Sequence, residues 1–311
     1  MKHGFLKKAS AIALSLLMLG SVAGTSHASS KLDKIGDLKD VALEQPVQFK
    51  TQFAEFAAFE KAVNLKEFWN SVIPEDMEKY FINSDGSVNF RTAGEKTADE
   101  IAKKEAFEKS LKDCVARVES YCSKNGIKFN TEITDGKGGL LVGSSNGDGQ
   151  GTNSLSVSGL VKGDVLLLND GGVQLWGAIM HAGIYDGTSS DLCIYSASPN
   201  AGGNNNNVGV RWERVSDWRK NDQAWTLSVK GTSTAQRKAA FDYVKSYATI
   251  GESYTWYCTK NSTNDWYCSK IPWFGYKKSG TNIDIDYDGG YWVWPIDIYN
   301  SSKTNLINYY P

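Results

Sequence analysis

Apolar positions in the first half of the chain recur at helical spacing. Phe53, Phe56 and Phe59 lie three residues apart, as on one face of an amphipathic helix. Thr97-Ala-Asp-Glu100 has the pattern of a capping box and predicts a long helix from there to about Ser123. The residues expected on its inward face are Ile101, Phe107, Leu111, Val115 and Val118. This half therefore predicts a small helical unit, and nothing in its pattern indicates catalysis.

Apolar runs in the second half are short and typical of strands. Val165–Leu168 is a buried run, and a second predicted strand, Trp176–Tyr185, ends at the hairpin-type turn Asp186-Gly187. The remaining predicted elements are strands Cys193–Ala197 and Val208–Trp212 and an amphipathic helix, Thr234–Ala248, with Ala239, Phe241, Val244 and Tyr247 facing inward. Strands with one packed helix predict an α+β domain.

A stretch rich in Gly, Ser and Asn separates these two patterns and predicts a linker. We expect a signal peptide at residues 1–28, a helical N-terminal domain at 29–135, the linker at 136–158 and a catalytic domain at 159–311.

In the first segment three lysines precede the apolar run Ala9–Val22, and Ser26-His27-Ala28 resembles a cleavage site. A retained membrane anchor is the alternative, but the run is short for one. No later run is long enough to span a bilayer. We therefore expect a secreted bacterial protein, extracellular or associated with the cell wall.

Charge and cysteine content narrow the chemistry. The net charge is −1, and loss of three lysines with the signal peptide would leave −4, which argues against nucleic acid or an anionic membrane as partner. The cysteines are Cys114, Cys122, Cys193, Cys258 and Cys268. An odd number in a secreted protein leaves one unpaired, and the pairing of the others stays open. No pair has the C-x-x-C spacing of a zinc site, so no metal or cofactor is predicted.

Cys268 and His181 form a candidate nucleophile and base. His3 and His27 lie in the predicted signal peptide, so the mature chain would keep His181 alone. Pro272 fits only the first turn of a helix, which therefore begins at or just after Cys268, with Ser269 as a candidate cap. Free N–H groups at a helix start can stabilise an oxyanion, and a strand supports a histidine base rigidly. A buried structural thiol and a core histidine are the alternative.

Five segments occur in the order seen in circularly permuted NlpC-like cysteine peptidases, the YiiX/YycO-like branch of the papain-like superfamily. They are Gly163-Asp-Val-Leu-Leu167, His181-Ala-Gly-Ile-Tyr185, Ile194-Tyr-Ser-Ala197, Tyr267-Cys-Ser-Lys-Ile271 and Val293-Trp-Pro-Ile-Asp-Ile298. The chain resembles this family over roughly residues 160–300, with histidine before cysteine as the permuted branch requires. The resemblance implies an α+β fold in which a central antiparallel sheet or half-barrel packs on the cysteine helix.

The resemblance also implies residue roles. Cys268 would be the nucleophile that forms an acyl-enzyme, and its backbone N–H would bind the oxyanion. His181 would act as base and then as acid. The family's third residue, often acidic, falls at Ser196, which orients an imidazole more weakly than a carboxylate does. Pro272 is a second departure, since the family has a helix-compatible apolar residue there.

The segment Asp284-Ile-Asp-Tyr-Asp-Gly289 begins like an EF-hand calcium loop. Pro295 stands where such a loop has its bidentate glutamate, so Asp284, Asp286 and Asp288 are expected to form an acidic surface turn, with bound calcium as the alternative.

Three functional hypotheses follow. The first is a secreted cysteine peptidase or amidase-type hydrolase acting on peptide or peptidoglycan fragments. The second is a thiol hydrolase or transferase of the same fold that acts on esters or acyl chains. The third is a non-catalytic secreted binding module, motivated by Ser196 and by the Asn-rich tract Pro199–Asn207. The sequence leaves the substrate and the oligomeric state open.

Overall fold

The computed structural model describes residues 59, 61–71, 79–82, 87–129, 152–169, 172–173, 177, 179–199, 208–255 and 258–311. The predicted signal peptide, the first predicted helical positions and most of the predicted linker lie outside these residues. The proposed division into domains therefore stays a prediction.

The described residues form ten strands and six helices. The strands are β1 (Tyr80–Ile82), β2 (Val88–Phe90), β3 (Lys128–Phe129), β4 (Val165–Asn169), β5 (Gly172–Val173), β6 (His181–Tyr185), β7 (Leu192–Ser198), β8 (Gly209–Arg214), β9 (Gln223–Val229) and β10 (Thr304–Tyr310). The helices are α1 (Leu65–Ser71), α2 (Ala98–Asn125), α3 (Val215–Trp218), α4 (Thr234–Tyr247), α5 (Lys270–Lys278) and α6 (Pro295–Asn300). The protein is of mixed α+β class, as its sequence predicts.

A six-stranded antiparallel sheet carries the candidate site. Its strand order is β10-β9-β4-β6-β7-β8. The predicted run Val165–Leu168 is wholly buried in β4 because apolar side chains cover both faces of the sheet. The second predicted strand is shorter than expected, since residues 179 and 180 are not in a strand and β6 begins at His181. His181 therefore lies at the end of its strand.

The helix α2 begins and ends close to the predicted positions. The hydroxyl of Thr97 accepts a hydrogen bond from the backbone N–H of Glu100, and Gly126 closes the other end in the left-handed conformation with φ of 66°. Leu111 and Val118 are buried as expected, but Ile101 is 41% exposed. Ile101 lies in the first turn of the helix.

The inward face of α4 differs from the prediction at two positions. Ala240 is buried and Ala239 is exposed, while Tyr247 is 41% exposed. The reason is the neighbouring helix α5, whose Gly275 approaches the Ala240 carbonyl so closely that a Cβ on Gly275 would lie 2.7 Å from its oxygen. This close approach fixes the rotation of α4 about its axis.

The two ends of the described chain pack against each other. The Trp69 ring lies 5.5 Å from the Trp292 ring and 5.2 Å from the Trp294 ring, between centroids. The strand β3 pairs in parallel with β5, and β1 pairs with β2. The N-terminal part is thus not wholly helical. Among the described residues, no helix has both the length and the apolar character needed to cross a membrane.

Candidate functional site

Cys268 lies immediately before helix α5, as its sequence predicts. The helix begins at Lys270, and Pro272 lies in its first turn, where no intrahelical donor is needed. Ser269 takes the N-cap position, but its hydroxyl donates to the Val293 carbonyl at 2.6 Å and forms no side-chain cap. Ser269 therefore lies at the predicted cap position, but the prediction that its side chain caps the helix was wrong. All five cysteines are free, so Cys268 is not in a disulfide.

His181 is held through its Nε2 atom. This nitrogen lies 2.8 Å from Oε2 of Glu213 and 3.1 Å from Oγ of Ser196. The Ser196 hydroxyl donates its proton to the Ala182 carbonyl at 2.7 Å. The Ser196 oxygen can therefore only accept a hydrogen bond from the N–H at Nε2. The Glu213 carboxylate accepts a hydrogen bond from the same N–H. The predicted third residue does contact the histidine, but a carboxylate that the sequence did not reveal contacts it more closely.

The opposite ring nitrogen of His181 is the one left for the thiol. Nδ1 is buried and makes no hydrogen bond of standard geometry within the described residues. The Cys268 side chain nevertheless interacts with the ring strongly enough to raise the pKa of His181. Because Nε2 is occupied by Glu213 and Ser196, we assign the thiol contact to Nδ1. Cys268 and Glu213 then lie on opposite sides of one imidazole.

The histidine and the glutamate shift each other's pKa values. Burial lowers the pKa of His181, but the charge of Glu213 and the interaction with the Cys268 side chain outweigh it and raise the pKa to about 9. Burial raises the pKa of Glu213, but the charge of His181, with Arg211 and Trp218, lowers it to about 2. At neutral pH the pair is therefore an imidazolium and a carboxylate, both almost completely buried.

Glu213 is fixed by two further groups. The guanidinium of Arg211 donates to Oε1 from Nε at 2.9 Å and from Nη2 at 2.8 Å. The indole of Trp218 donates to Oε2 at 2.8 Å, and its ring lies 5.3 Å from the His181 ring. In the β7–β8 ladder Arg211 pairs with Ser196, so these side chains share one face of the sheet. The carboxylate has little freedom to turn away from His181.

A sequence signal for Glu213 did exist. Arg211 and Glu213 occupy alternate positions of β8, and the predicted strand end at Trp212 falls two residues short of the end of β8. Alternate residues of a strand point to the same face, and two opposite charges on a buried face indicate a buried ion pair. This pattern does not predict whether the Arg211–Glu213 pair contacts a histidine.

Tyr254 is a second residue that the sequence did not single out. It forms a bridge with Trp266, two residues before Cys268. Its hydroxyl is buried and has no hydrogen-bond partner among the described residues. Its pKa is raised well above the usual value, first by burial and then by the nearby Cys268. The Tyr254 hydroxyl is therefore an unpaired donor near the Cys268 thiol. It comes there through the bridge between Tyr254 and Trp266, a pairing that local sequence pattern does not predict.

The acidic segment that resembles a calcium loop is not wholly the surface turn that the sequence predicts, because the Asp286 side chain is buried. Asp284 accepts a hydrogen bond from the Trp273 indole at 2.8 Å. The carboxylates of Asp286 and Asp288 lie within 4.8 Å of Asp297 instead. Lys260 forms a buried ion pair with Asp286 and neutralises part of this charge. The group stands as an acidic cluster, to which we assign no metal.

Fold and site together define an α+β protein with a buried cysteine–histidine–glutamate cluster. No family model and no curated protein matches the chain. Among solved structures, the crystal structure of the metalloprotein YiiX from Escherichia coli O157:H7 is weakly similar, with 11% sequence identity and a TM-score of 0.34. The match covers 48% of this chain and 96% of the YiiX chain.

Proposed function

We propose that the chain is a cysteine hydrolase of the circularly permuted NlpC-like class, which cleaves an amide bond through an acyl-enzyme on Cys268. The observation that carries the proposal is the buried imidazole of His181, which lies 2.8 Å from Glu213 and whose pKa the neighbouring Cys268 side chain raises. A thiol nucleophile needs a base held in one orientation by a third group. Glu213 supplies the carboxylate for which Ser196 is a weak substitute.

The proposed reaction proceeds in two halves. Before attack the thiol proton of Cys268 passes to His181 Nδ1, which gives a thiolate beside the imidazolium. Cys268 Sγ then attacks the carbonyl carbon, and the tetrahedral adduct forms. Collapse of the adduct breaks the C–N bond, and His181 returns the proton to the leaving amine. Water then attacks the thioester with His181 as base, which releases the acid and restores the thiol.

Two donors are available for the oxyanion of the adduct. The backbone N–H of Cys268 lies at the start of α5, where N–H groups have no intrahelical partner. The Tyr254 hydroxyl is the second donor, because it is buried and unpaired near the thiol. Donors that are fixed before the reaction stabilise the developing charge without having to reorganise.

Access to the site requires movement. Cys268 has no exposed surface and His181 is 2% exposed. A substrate therefore reaches the thiol only when the residues that cover it move aside. Small thiol reagents should accordingly react with Cys268 faster than bulky ones of the same chemistry.

One ground for the hypothesis of a non-catalytic binding module is weakened. Ser196 in place of an acid motivated it, and the Glu213 carboxylate lies 2.8 Å from His181. The Asn-rich tract, its other ground, is not affected by this contact. A disulfide at Cys268 would have favoured the hypothesis, and Cys268 is free. Secretion and a peptidoglycan-derived peptide substrate remain part of the proposal and rest on the sequence alone.

Alkylation by iodoacetamide near neutral pH tests the site. Cys268 should be modified far faster than Cys193, because burial raises the pKa of Cys193 to about 12 and keeps its thiol protonated. The Cys268→Ala variant should lose both the fast phase and all turnover, and the matched variant Cys193→Ala should keep both. Alkylation of Cys268 no faster than that of Cys193 would rule out the proposed nucleophile.

Substrate assays separate the two enzymatic hypotheses. Muropeptides and p-nitrophenyl esters should be compared with the same preparation and with Cys268→Ala as the blank. Turnover of muropeptides supports the amidase. Turnover of esters with none of any amide supports the ester-directed or acyl-directed alternative, since the same acyl-enzyme forms from both.

A further inference from the structure

A buried lysine contacts a second cysteine beside the candidate site. Lys270 Nζ lies 3.5 Å from Sγ of Cys258. The same amine donates to the carbonyls of Thr259 at 3.2 Å and Asp265 at 2.6 Å and to the Ser262 hydroxyl at 3.2 Å. These four contacts hold the amine against the sulfur within a loop that folds around the start of α5.

The surroundings of this pair favour covalent chemistry between its two members. Lys270 has no exposed surface, and no carboxylate of the described residues lies within ion-pair distance of its amine. Burial lowers the pKa of Lys270, so a larger fraction of its amine is uncharged and nucleophilic than in an ordinary lysine. Cys258 keeps 5% of its surface exposed, which leaves a path for a small oxidant.

The other cysteines lack this arrangement. Arg117 is the cation beside Cys114, and the neighbours that shift the pKa of Cys193 are Asp186 and Asp191. Burial alone raises the pKa of Cys122. Cys268 interacts with His181. A lysine amine in contact with sulfur therefore distinguishes Cys258 from the other four cysteines.

We propose that Cys258 and Lys270 are a modification site at which hydrogen peroxide forms a covalent N–O–S cross-link. One peroxide oxidises the thiol to a sulfenic acid and releases water. A second oxidises the amine to a hydroxylamine and releases water. The hydroxylamine oxygen then attacks the sulfenic sulfur and expels a third water, which leaves one oxygen between nitrogen and sulfur. Sulfur and nitrogen each lose two electrons, and the two peroxides take them up.

The cross-link would close a loop that contains the candidate nucleophile. Cys258 opens the loop and Lys270 is the first residue of α5, so Cys268 lies between the two joined positions. A covalent link across a loop restricts the unfolded chain and raises stability. Dithiothreitol reverses the reaction, because thiols return the amine and the thiol while the bridging oxygen leaves as water.

The test uses the full chain carrying Cys268→Ala, so that oxidation of the proposed nucleophile does not interfere and the outcome is independent of turnover. After treatment with hydrogen peroxide, peptide mass spectrometry should find the peptides of Cys258 and Lys270 joined. The joined mass should be one oxygen heavier and two hydrogens lighter than the sum of the two peptides. Dithiothreitol should abolish this species, and adding Cys193→Ser should leave it intact.

The opposite results are equally clear. Conversion of Cys258 to sulfinic or sulfonic acid beside an unmodified Lys270 would overturn the proposal, as would a Cys258 that stays a thiol while other side chains oxidise. Cys258→Ser and Lys270→Arg should each abolish the joined peptides. If either variant fails to fold, the wild-type residues at the two positions still decide the matter, because the linked peptides are sequenced directly.

Discussion

Glu213 Oε2 lies 2.8 Å from Nε2 of His181, although the strands that carry them are not neighbours. The strand β7 lies between β6 and β8 in the sheet. Ser196 is the residue of β7 at this point, and its short side chain leaves the carboxylate room to reach across. The His181–Glu213 contact thus spans an intervening strand, and Ser196 of that strand also contacts the imidazole.

Replacing Glu213 should lower the pKa of His181. The charge of Glu213 opposes the effect of burial and, with Cys268, holds the pKa at about 9. In Glu213→Gln the burial effect remains and the charge is gone, so the pKa should fall towards or below the ordinary value of 6.5. With His3→Gln and His27→Gln in place, His181 is the one histidine of the chain, and NMR of its ring follows the titration directly.

A surface carboxylate provides the control for this titration. Asp191 binds Ser216 and Arg214, away from the histidine, so Asp191→Asn should leave the pKa of His181 unchanged. An equal fall in both variants would mean that general charge, rather than the contact with Glu213, sets the pKa. A normal pKa in the wild type would show that the pair does not form as described.

Glu213 and Ser196 should differ in their effects on turnover. Ser196→Ala removes one half of a shared hydrogen bond, which limits the expected loss in kcat/KM to about 10-fold. Glu213→Gln removes the charge that orients and stabilises the imidazolium, and the loss should be on the order of 10²-fold or more. Steady-state kinetics of the two variants on one substrate decide the order. A larger loss in Ser196→Ala would return the orienting role to the residue that the sequence suggests.

The positions of Cys268 and His181 in the fold could be predicted because each depends on local pattern. Pro272 restricts where α5 can begin, and Cys268 lies just before that point. His181 lies in a predicted strand and is the one histidine outside the predicted signal peptide. The antiparallel sheet was implied by the family resemblance of residues 160–300. These features need no knowledge of which distant segments touch.

The residues that the sequence did not reveal depend on long-range pairing. Glu213 reaches His181 only because β6, β7 and β8 adopt one particular order and register. Tyr254 comes near Cys268 only through its bridge with Trp266. The rotation of α4 likewise depends on how closely Gly275 approaches Ala240. Periodicity predicts the elements, but it contains no information about partners across the fold.

The buried pair should make stability depend on pH in both directions. The pKa of His181 is about 9 in the folded chain against an ordinary 6.5, so its contribution is complete below pH 6.5 and is lost as the pH rises through 9. The pKa of Glu213 is about 2 against an ordinary 4.5, so its contribution is complete above pH 4.5 and is lost as the pH falls towards 2. The contribution of the pair should therefore be largest between pH 4.5 and 6.5.

Unfolding in urea measures this dependence. Within that interval Glu213→Ala should lower the free energy of unfolding by about 3–5 kcal/mol, because it removes the buried carboxylate that His181 and Arg211 both contact. The double variant His181→Gln with Glu213→Gln should show a flatter pH profile than the wild type. Identical profiles in the two proteins would contradict an ionised pair.

Tyr254→Phe should separate acyl transfer from thiol reactivity. The substitution removes a hydroxyl that is buried without a partner, so the free energy of unfolding should stay unchanged or rise. Loss of one oxyanion donor should lower kcat by about 10²–10³-fold. Alkylation of Cys268 by iodoacetamide forms no oxyanion and should keep its rate. Tyr195→Phe is the matched control: its hydroxyl donates to the Ala248 carbonyl, so that variant should lose stability and keep turnover. Equal losses of alkylation and turnover in Tyr254→Phe would show that the tyrosine supports the thiol itself rather than the adduct.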